Sequence, residues 1–310
     1  MKNLKDYRLI FMGTPSIASK VFDALINDGY NFVALIAQED KPVGRKGILE
    51  PVPTKVVAQA HNIPVYQPHK IRLDYEFVKE LKPDLILTMA YGQIVPQGLL
   101  DIPTYGCLNL HGSLLPKYRG AAPIQRAIID GETKTGITLM EMVAAMDAGK
   151  MFAKEEVEIT PEDNYTSLCD KMSEAAIKVC VKNLPAYLEG KLPGVEQDES
   201  LVTIANKIKP EDEKLDLSKP TKEVINYIRG LSDEPGAYIY VEDKKLKIFK
   251  AHQISSSTGE VGKLEVGKTV SLQLKDGVIQ LDMLQMEGKK RMDGKSFANG
   301  NKALHGAIAK

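Results

Sequence analysis

The sequence predicts an α/β protein in which a doubly wound, mostly parallel sheet is followed by a smaller β-barrel. The first 190 residues alternate short apolar runs with helical patterns. These runs are apolar on both faces, as strands are in a sheet that helices cover on both sides. After residue 210, strand-like runs recur at roughly ten-residue spacing with turn residues between them, which is typical of a small barrel. A chain of 310 residues is long enough for two domains.

The strands of the first part are predicted from apolar runs, and its helices from apolar residues three and four positions apart. The predicted strands are Arg8–Gly13, Phe32–Ala37, Ile63–Tyr66, Asp84–Thr88, Cys107–His111 and Gly136–Met142. The predicted helices run from Ser16, a good N-cap, to about Asp28, and over Thr54–His61, Leu73–Leu81, Ile124–Ile129 and Thr166–Glu189. Because strands alternate with helical segments, we expect crossover connections and parallel pairing.

A polar stretch with glycine and proline separates the two predicted domains. Residues 190–199 read GKLPGVEQDE, a composition typical of linkers. We therefore assign residues 1–189 to the first domain, 190–209 to a linker and 210–310 to the second domain. The second domain begins with a predicted helix over Thr221–Gly230, followed by the predicted strands Gly236–Tyr240, Lys247–Ala251, Thr269–Leu274 and Gly277–Leu284.

The composition excludes several classes of protein. Lys and Arg total 41, as do Asp and Glu, so the chain is neither a globally basic nucleic-acid coat nor an acidic tail. Three cysteines without a C-x-x-C pair argue against a disulfide framework and indicate a reducing compartment. Five histidines without zinc-ligand spacing predict no metal site. No apolar run is as long as a signal-peptide core or a membrane helix, so we expect a cytoplasmic protein with no membrane partner.

The turn after the first strand carries only part of a nucleotide-binding motif. It reads GTPSIA over residues 13–18, whereas a dinucleotide fold needs G-x-G-x-x-G. The P-loop pattern G-x-x-x-x-G-K-[ST] does not occur either. The sequence therefore disfavours a nucleotide cofactor held by this turn.

The strand Cys107–His111 shows the clearest pattern for catalysis. Side chains alternate between the faces of a strand, so Asn109 and His111 lie on one face and Leu108 and Leu110 on the other. At a carboxyl end of the sheet, the polar pair would point into the crevice where open α/β sheets bind ligands. Asn can stabilise an oxyanion, and His can donate, accept or carry a proton near neutral pH. The alternative is a polar strand end that hydrogen-bonds with a neighbouring loop.

Two further segments point to the same edge of the sheet. Residues 113–125, SLLPKYRGAAPIQ, form a connection that is longer than most and rich in small residues and proline, which suits a loop that wraps a ligand. Asp147 follows the predicted strand Gly136–Met142, so we expect it at a strand's carboxyl end, where its charge could orient His111. Alternatively, Asp147 is an ordinary turn residue before Ala-Gly.

These segments together resemble the 10-formyltetrahydrofolate-dependent formyltransferases. The resemblance rests on HGSLLP at 111–116, RGAAPIQ at 119–125, Asn109-x-His111 and Met146-Asp147-x-Gly149. GTP at 13–15, AYG at 90–92, QDESLVTIANKI at 197–208 and the additional C-terminal domain are similar to the family members that act on initiator tRNA. The chain departs from the family at Ile17, where an aromatic residue is common, and in the tail after Lys290.

The resemblance implies a Rossmann-like formyltransferase domain over residues 1–189 and an OB-like, tRNA-binding barrel over residues 210–310. It implies an enzyme of translation initiation, and so of protein biosynthesis, whose formyl-donor substrate is 10-formyltetrahydrofolate. The acceptor is then the α-amino group of methionine on initiator Met-tRNA. Asn109, His111 and Asp147 become the catalytic residues, and the reaction needs neither a metal nor a covalent intermediate. We expect the protein to be a monomer.

Binding residues follow from the resemblance as well. The predicted folate-binding residues are Ala90, Tyr91, Gly92, Ser113, Leu114, Leu115 and Pro116. The stretch Gln38–Pro53 is too long for a simple connector, and we expect its Lys41, Arg45 and Lys46 to contact tRNA, the alternative being a surface loop. The predicted tRNA contacts of the second domain are Lys289, Lys290 and Arg291, unless these are ordinary solvated turn residues.

Two other functions fit parts of the sequence. A sugar-nucleotide or glycinamide ribonucleotide formyltransferase would share the motifs of the first domain. The second of these resembles residues 1–190 alone and leaves the rest of the chain without a role. A non-catalytic RNA-binding protein with a degenerate transferase domain is disfavoured because Asn109, His111 and Asp147 are all present.

Overall fold

A seven-stranded sheet and a six-stranded sheet form the framework of the protein. The structure is a computed structural model that describes residues 3–43 and 47–310, without the side chain of Val43. Two compact units divide it: unit 1 comprises residues 1–120, 135–158 and 169–204, and unit 2 comprises residues 121–134, 159–168 and 205–310. Unit 2 thus takes two short segments from the first 190 residues, and the domain boundaries predicted above stay a prediction.

The elements before residue 190 alternate largely as the sequence indicates. The strands are β1 (Leu9–Gly13), β2 (Phe32–Ile36), β3 (Lys41–Val43), β4 (Ile48–Glu50), β5 (Val65–Tyr66), β6 (Leu85–Met89), β7 (Cys107–His111), β8 (Lys134–Glu141) and β9 (Met151–Glu158). The helices are α1 (Ser16–Asn27), α2 (Pro53–Ala60), α3 (Phe77–Leu81), α4 (Gln97–Leu100), α5 (Pro123–Ile129) and α6 (Tyr165–Leu188). No helix among the described residues, including the 24-residue α6, is long and apolar enough to cross a membrane.

The large sheet has the strand order β5-β2-β1-β6-β7-β8-β9. Strands β5, β2, β1, β6 and β7 pair in parallel, which confirms the predicted doubly wound, mostly parallel sheet. The parallel pairing expected for the strand near residues 136–142 is wrong, because β8 runs antiparallel to β7. Thr138 lies opposite His111, and Glu141 lies opposite Leu108. The connection through α5 therefore enters β8 at the edge where β7 ends, without crossing the sheet.

Alternation along β1 explains why apolar residues occupy both faces of this sheet. Phe11 stacks on Phe22 of α1, with ring centroids 4.7 Å apart. Ile10 belongs instead to a buried cluster with Val78 of α3 and Leu99 of α4. Helices thus cover both faces, as the continuous apolar runs predict.

The order of the strands reverses between β1 and β6, and in open α/β sheets ligands bind in the crevice at such a point. The chain after β1 and the chain after β6 meet there, where Thr14 Oγ1 donates to Tyr91 O at 3.2 Å. A Cβ on Gly13 would lie 2.8 Å from Met89 O, so only glycine allows the two strand ends to approach this closely. The site is therefore expected at the carboxyl ends of β1, β6 and β7.

Unit 2 contains the smaller, antiparallel sheet. Its later elements are α7 (Thr221–Gly230), β10 (Ala237–Val241), β11 (Lys244–Ser255), β12 (Leu264–Val266), β13 (Val270–Gln273), β14 (Val278–Met286), β15 (Met292–Asp293) and α8 (Gly294–Gly300). The path β10-β11-β14-β13-β12 curls around one apolar core that includes Ile248, Leu281 and Phe297. The smaller barrel-like domain predicted after residue 210 is confirmed as a curled antiparallel sheet.

The C-terminal tail links the two edges of this curled sheet. At the β12 edge, Gly306 N donates to Leu264 O at 2.8 Å and Ala309 N to Gly262 O at 2.7 Å. At the β10 edge, Lys310 and Tyr240 exchange two backbone hydrogen bonds of 2.8 and 2.9 Å. The last five residues therefore satisfy edge-strand groups of this sheet through their backbone.

Deleting residues 306–310 should destabilise unit 2, because it leaves backbone groups of both edge strands unpaired. At about 1 kcal/mol per net hydrogen bond, we expect the free energy of unfolding to fall by roughly 2–5 kcal/mol. Urea titration followed by circular dichroism measures this loss. Lys310→Ala keeps the backbone bonds and serves as the control, so equal stability of the deletion and the wild type would contradict this role of the tail.

Candidate active site

Asn109 lies near the carboxyl end of β7, beside Thr88 of the neighbouring strand β6. Its side chain is half-buried, and within residues 3–43 and 47–310 no hydrogen bond of its amide group is found. The hydroxyl of Thr88 is buried and also lacks a partner among the described residues. Because polar groups in a crevice normally find partners, the free amide of Asn109 is a donor available to a ligand.

His111 shares the strand face of Asn109 and is only 4% exposed. Its Nε2 lies 2.8 Å from Tyr118 O. A carbonyl oxygen only accepts, so Nε2 carries the hydrogen in this contact. Nδ1 is then the ring nitrogen left for chemistry, and it lies 3.7 Å from Asp147 Oδ2. The structure therefore brings His111 and Asp147 together, as the sequence predicts.

Asp147 lies beside His111, but a different part of the chain from the one expected positions it there. Because β8 is antiparallel to β7, its carboxyl end lies at the opposite edge of the sheet. The loop after β8 returns, and Asp147 Oδ2 accepts a hydrogen bond of 2.8 Å from Gly120 N. Asp147 has a left-handed backbone with φ of 52°, which costs energy in a residue other than glycine. The surrounding hydrogen bonds must hold this conformation in place.

The loop after His111 is held by its own hydroxyl groups and by a lysine of β9. Ser113 Oγ donates to Lys117 O at 2.6 Å, and Thr138 Oγ1 donates to Ser113 O at 2.7 Å. Lys154 Nζ donates to Leu115 O at 2.5 Å, and partial burial lowers the pKa of this ammonium. Residues 113–117 are thus a fixed wall of the crevice.

The predicted folate-binding residues fall into two groups. Ala90 and Gly92 are exposed, have left-handed φ angles of 49° and 91°, and present backbone at the end of β6. Leu114 and Pro116 are half-buried. The side chains of Tyr91, Ser113 and Leu115 are buried at 3%, 0% and 1% exposure, so any contact with folate would use their backbone. Folate binding by all seven residues stays a prediction.

Cys107, at the start of β7, does not act as a nucleophile in this arrangement. Its thiol is 3% exposed, and burial, with a smaller effect of Asp101, raises the pKa of Cys107 to about 12. The thiolate is the reactive form of cysteine, and it is not populated at neutral pH with such a pKa. The chemistry that remains is an amide donor, an imidazole and a carboxylate, which together suit oxyanion stabilisation and proton transfer.

Part of the predicted loop Gln38–Pro53 is an exposed hairpin of β3 and β4. Lys41 is exposed on β3, whereas Arg45 and Lys46 lie outside the described residues. Asp40 fixes the base of this hairpin: it accepts from Val52 N at 3.3 Å and pairs with Lys55 Nζ at 2.5 Å.

The ionised form of Asp40 is itself stabilised by these neighbours. Burial alone would raise the pKa of this carboxyl. Hydrogen bonds from Lys55, Gln67 and the backbone N of Val52 outweigh burial and hold the pKa below its usual value. The base of the hairpin is therefore anchored by charge-assisted hydrogen bonds.

The three basic residues predicted in unit 2 differ in their surroundings. Lys289 and Lys290 are exposed. Arg291 is paired with Asp233 and lies 4.0 Å above the ring of Phe249. Of the three, the two lysines are the more accessible to a ligand, and the predicted tRNA contacts stay a prediction.

Sequence reasoning missed the residues that support the site through their backbone. Tyr118 O and Gly120 N hold His111 and Asp147, yet a backbone group leaves no residue-type pattern. Lys154 lies in the charged stretch of β9, where nothing marks it as part of a site. The sequence marks the loop as a whole, through the segment SLLPKYRGAAPIQ at 113–125, but not the part that its backbone groups play.

Known proteins resemble the chain over nearly its whole length. A family model described as formyl transferase matches residues 7–184, and one described as the formyl transferase C-terminal domain matches residues 207–302. A methionyl-tRNA formyltransferase of Bacillus velezensis is 43% identical, with 97% of each chain covered. One from Bacillus cereus is 45% identical, covering 95% of this chain and 96% of the relative.

Solved structures share the fold at low sequence identity. The methionyl-tRNA formyltransferase of Clostridium thermocellum has a TM-score of 0.56 at 20% identity, covering 80% of this chain and 94% of that one. Aquifex aeolicus HypX in complex with tetrahydrofolic acid has a TM-score of 0.69 at 18% identity. That alignment covers 94% of this chain but only 46% of HypX. The resemblance drawn from the motifs at 109–125 and 146–149 is confirmed.

Gly149 provides a test of the loop that carries Asp147. A Cβ at this position would lie 2.1 Å from Glu141 O, which belongs to the backbone and cannot turn aside. We expect Gly149→Ala to lower the free energy of unfolding by about 1–3 kcal/mol, as overpacking does. Gly267→Ala is the matched control, since a Cβ there meets nothing within 4 Å. Urea titration of both variants checks this, and equal stability would show that the loop is not tightly packed.

Proposed function

We propose that this chain, which belongs to the formyl transferase family, transfers the formyl group of 10-formyltetrahydrofolate to the α-amino group of methionine on initiator Met-tRNA. The observation that carries the proposal is one arrangement at the end of β7. Asn109 offers an amide that has no hydrogen-bond partner among the described residues, and His111 Nδ1 lies 3.7 Å from the carboxylate of Asp147. The product, N-formylmethionyl-tRNA, would serve translation initiation in the cytoplasm.

The reaction begins when the neutral amine of methionine attacks the formyl carbon. A C–N bond forms to the amine, and the carbonyl oxygen becomes an oxyanion. The amide of Asn109 donates a hydrogen bond to that oxygen, and the imidazole of His111, on the same face of β7, stabilises it from beside Asn109. Such donors, fixed before the reaction starts, stabilise the charge that develops in the transition state.

Asp147 takes part in this step by accepting the proton of the attacking amine. Its Oδ2 faces Nδ1 of His111, and its position is fixed by Gly120 N. The carboxylate holds the imidazole and accepts the amine proton, directly or through a water molecule. The bond between the formyl carbon and N10 of the folate then breaks, and N10 takes up a proton. No covalent link to the protein is needed.

The formyl donor would lie across the strand ends at the carboxyl edge of the sheet. The exposed backbone at Ala90 and Gly92 can hydrogen-bond with a pterin, and the loop 113–116 forms the wall beside His111. The reversal of strand order between β1 and β6 supports this placement, because ligands of open α/β sheets bind at such a point.

The proposed acceptor rests on the relatives with the higher sequence identity to this chain. Sugar formyltransferases share the fold with TM-scores of 0.65 and 0.66, but at only 16% and 18% identity, which carries no argument about substrate. The relatives at 43–45% identity over both domains are named for methionyl-tRNA. We therefore propose Met-tRNA, with the curled sheet of unit 2 as a tRNA-binding module and the protein acting as a monomer.

A direct assay tests the proposal. The purified protein is incubated with 10-formyltetrahydrofolate and either charged initiator tRNA or an amino-sugar nucleotide. Formylation of the methionine alone is expected. Formylation of the sugar alone would assign the chain to another branch of the family, and binding of tRNA without turnover would make it a non-catalytic binding protein.

The catalytic roles predict distinct losses of rate. His111→Ala should lower kcat by roughly 10²–10⁴, the usual range for a positioned proton-transfer group. Asn109→Ala should lower it by about 10²–10³, as for one oxyanion donor. Circular dichroism should show that both variants fold. Near wild-type kcat in His111→Ala would remove His111 from the mechanism.

The proposed tRNA-binding residues predict a salt-dependent affinity. Removing one cation that pairs with a phosphate should flatten the log–log dependence of affinity on salt by about 0.7–0.9. A salt titration compares wild type, Arg45→Ala and a triple alanine variant of Lys289, Lys290 and Arg291. Arg45→Ala should raise KM for tRNA and leave KM for the formyl donor unchanged. Identical affinities and slopes for all three proteins would mean that these residues are ordinary solvated surface.

A further inference from the structure

Gln197 lies in the stretch predicted as a linker, yet its side chain is only 9% exposed. Two residues before it, Val195 exchanges backbone hydrogen bonds of 2.8 Å with Met151 at the start of β9. Residues 195–204 are therefore tied into unit 1, to which they belong. A buried amide at this position needs hydrogen-bond partners within the protein.

The amide of Gln197 contacts two loops at once. Its Nε2 donates to Asp147 O at 2.7 Å and to Gly149 O at 2.9 Å. Its Oε1 accepts from Arg119 Nε at 3.0 Å. The two carbonyls only accept and the guanidinium only donates, so the orientation of the amide is fixed by its partners. A carboxylate of the same shape could keep the contact with Arg119 but not those with the carbonyls.

The loop that carries Arg119 is held by the same stretch of chain. Thr203 accepts from Tyr118 N through its hydroxyl at 2.8 Å and from Arg119 N through its carbonyl at 2.9 Å. The guanidinium of Arg119 is buried on one side and forms a two-bond contact with the exposed carboxylate of Glu199. Residues 197–203 thus hold the backbone at Tyr118 and Arg119 and the side chain of Arg119.

The two loops that Gln197 joins are the ones that hold the proposed catalytic pair. Tyr118 O binds His111 Nε2, and Gly120 N binds Asp147 Oδ2. Arg119 lies between these two backbone groups. On the other side, Gln197 binds the carbonyl of Asp147 itself. The distance between Nδ1 of His111 and Oδ2 of Asp147 is therefore set by both loops, and Gln197 links them.

We infer that Gln197 is a positioning residue of the reaction, which holds the Asp147 loop against the Tyr118–Gly120 loop and so keeps Asp147 in place beside His111. The inference rests on the proposed function. The left-handed φ of 52° at Asp147 supports it, since a strained conformation persists only where its surroundings impose it. Without the amide, the loop can relax and the carboxylate moves away from the imidazole.

The first test uses the isosteric variant Gln197→Glu, which fills the same space. It should lower kcat by roughly 10–100-fold, the effect of a small misplacement at a reacting centre, with KM for both substrates little changed. The matched control is Glu196→Gln, the reverse exchange at the neighbouring, exposed position. The control should keep wild-type kcat, and thermal unfolding should show that both variants are folded. Wild-type kcat in folded Gln197→Glu would overturn the inference.

The second test asks whether Gln197 acts through Asp147. In a double-mutant cycle, Gln197→Glu is combined with Asp147→Asn, and kcat is measured for all four proteins. If Gln197 positions Asp147, its loss should cost little once the carboxylate is gone, so the two effects should not add. Fully additive effects would mean that Gln197 supports the fold in general, and would overturn the inference.

The cycle also separates this inference from the proposed function. Wild-type kcat in Asp147→Asn alone would remove Asp147 from the mechanism, and with it the reason for positioning it. A large loss in Asp147→Asn together with an unchanged Gln197→Glu would leave the mechanism standing and reject only the role of Gln197.

Discussion

The burial of His111 is the constraint on which the site depends. An imidazole with little access to water needs a partner for its N–H, and Tyr118 O provides it at 2.8 Å. Tyr118 reaches that position with a left-handed φ of 62°, which costs roughly 1 kcal/mol or more in a residue other than glycine. Thr203 offsets this cost by accepting from Tyr118 N across 85 residues of sequence. The position of His111, which belongs to a local sequence motif, is thus maintained by a hydrogen bond to a residue far along the chain.

The strands could be predicted from the sequence where burial of both faces of the sheet requires a continuous run of apolar residues. Strands β1, β6 and β7 lie within one or two residues of their predicted bounds for this reason. The β3–β4 hairpin has no such signal, because Ile48 and Leu49 are exposed and no buried face imposes an alternating pattern. The direction of β8 could not be predicted either, because an apolar strand has the same composition in both directions.

Residues of the site could be predicted from the sequence where they lie on a strand, because side chains two positions apart share a face of the sheet. Asn109 and His111 follow from the period of two along β7, and their place at the carboxyl edge follows from the α/β pattern. For Asp147 the predicted neighbour is right and the predicted route is wrong, since a loop and not a parallel strand delivers it. Gln197 and Thr203 act through hydrogen bonds to distant backbone atoms, and such bonds impose no periodicity on a polar sequence. Their stretch therefore has the composition of a linker.

Three arginines of this chain of zero net charge serve contacts within the protein. Arg119 and Arg291 pair with acidic side chains, and Arg229 donates hydrogen bonds to Thr160 O and Asp163 O. The guanidinium groups of all three therefore already have partners within their own unit. A planar guanidinium suits this task because it satisfies several acceptors in fixed directions. Lysines such as Lys289 and Lys290 remain exposed. At this turn of unit 2 the exposed positive charge is therefore carried by ammonium groups, point charges that would suit phosphate contacts in the proposed tRNA complex.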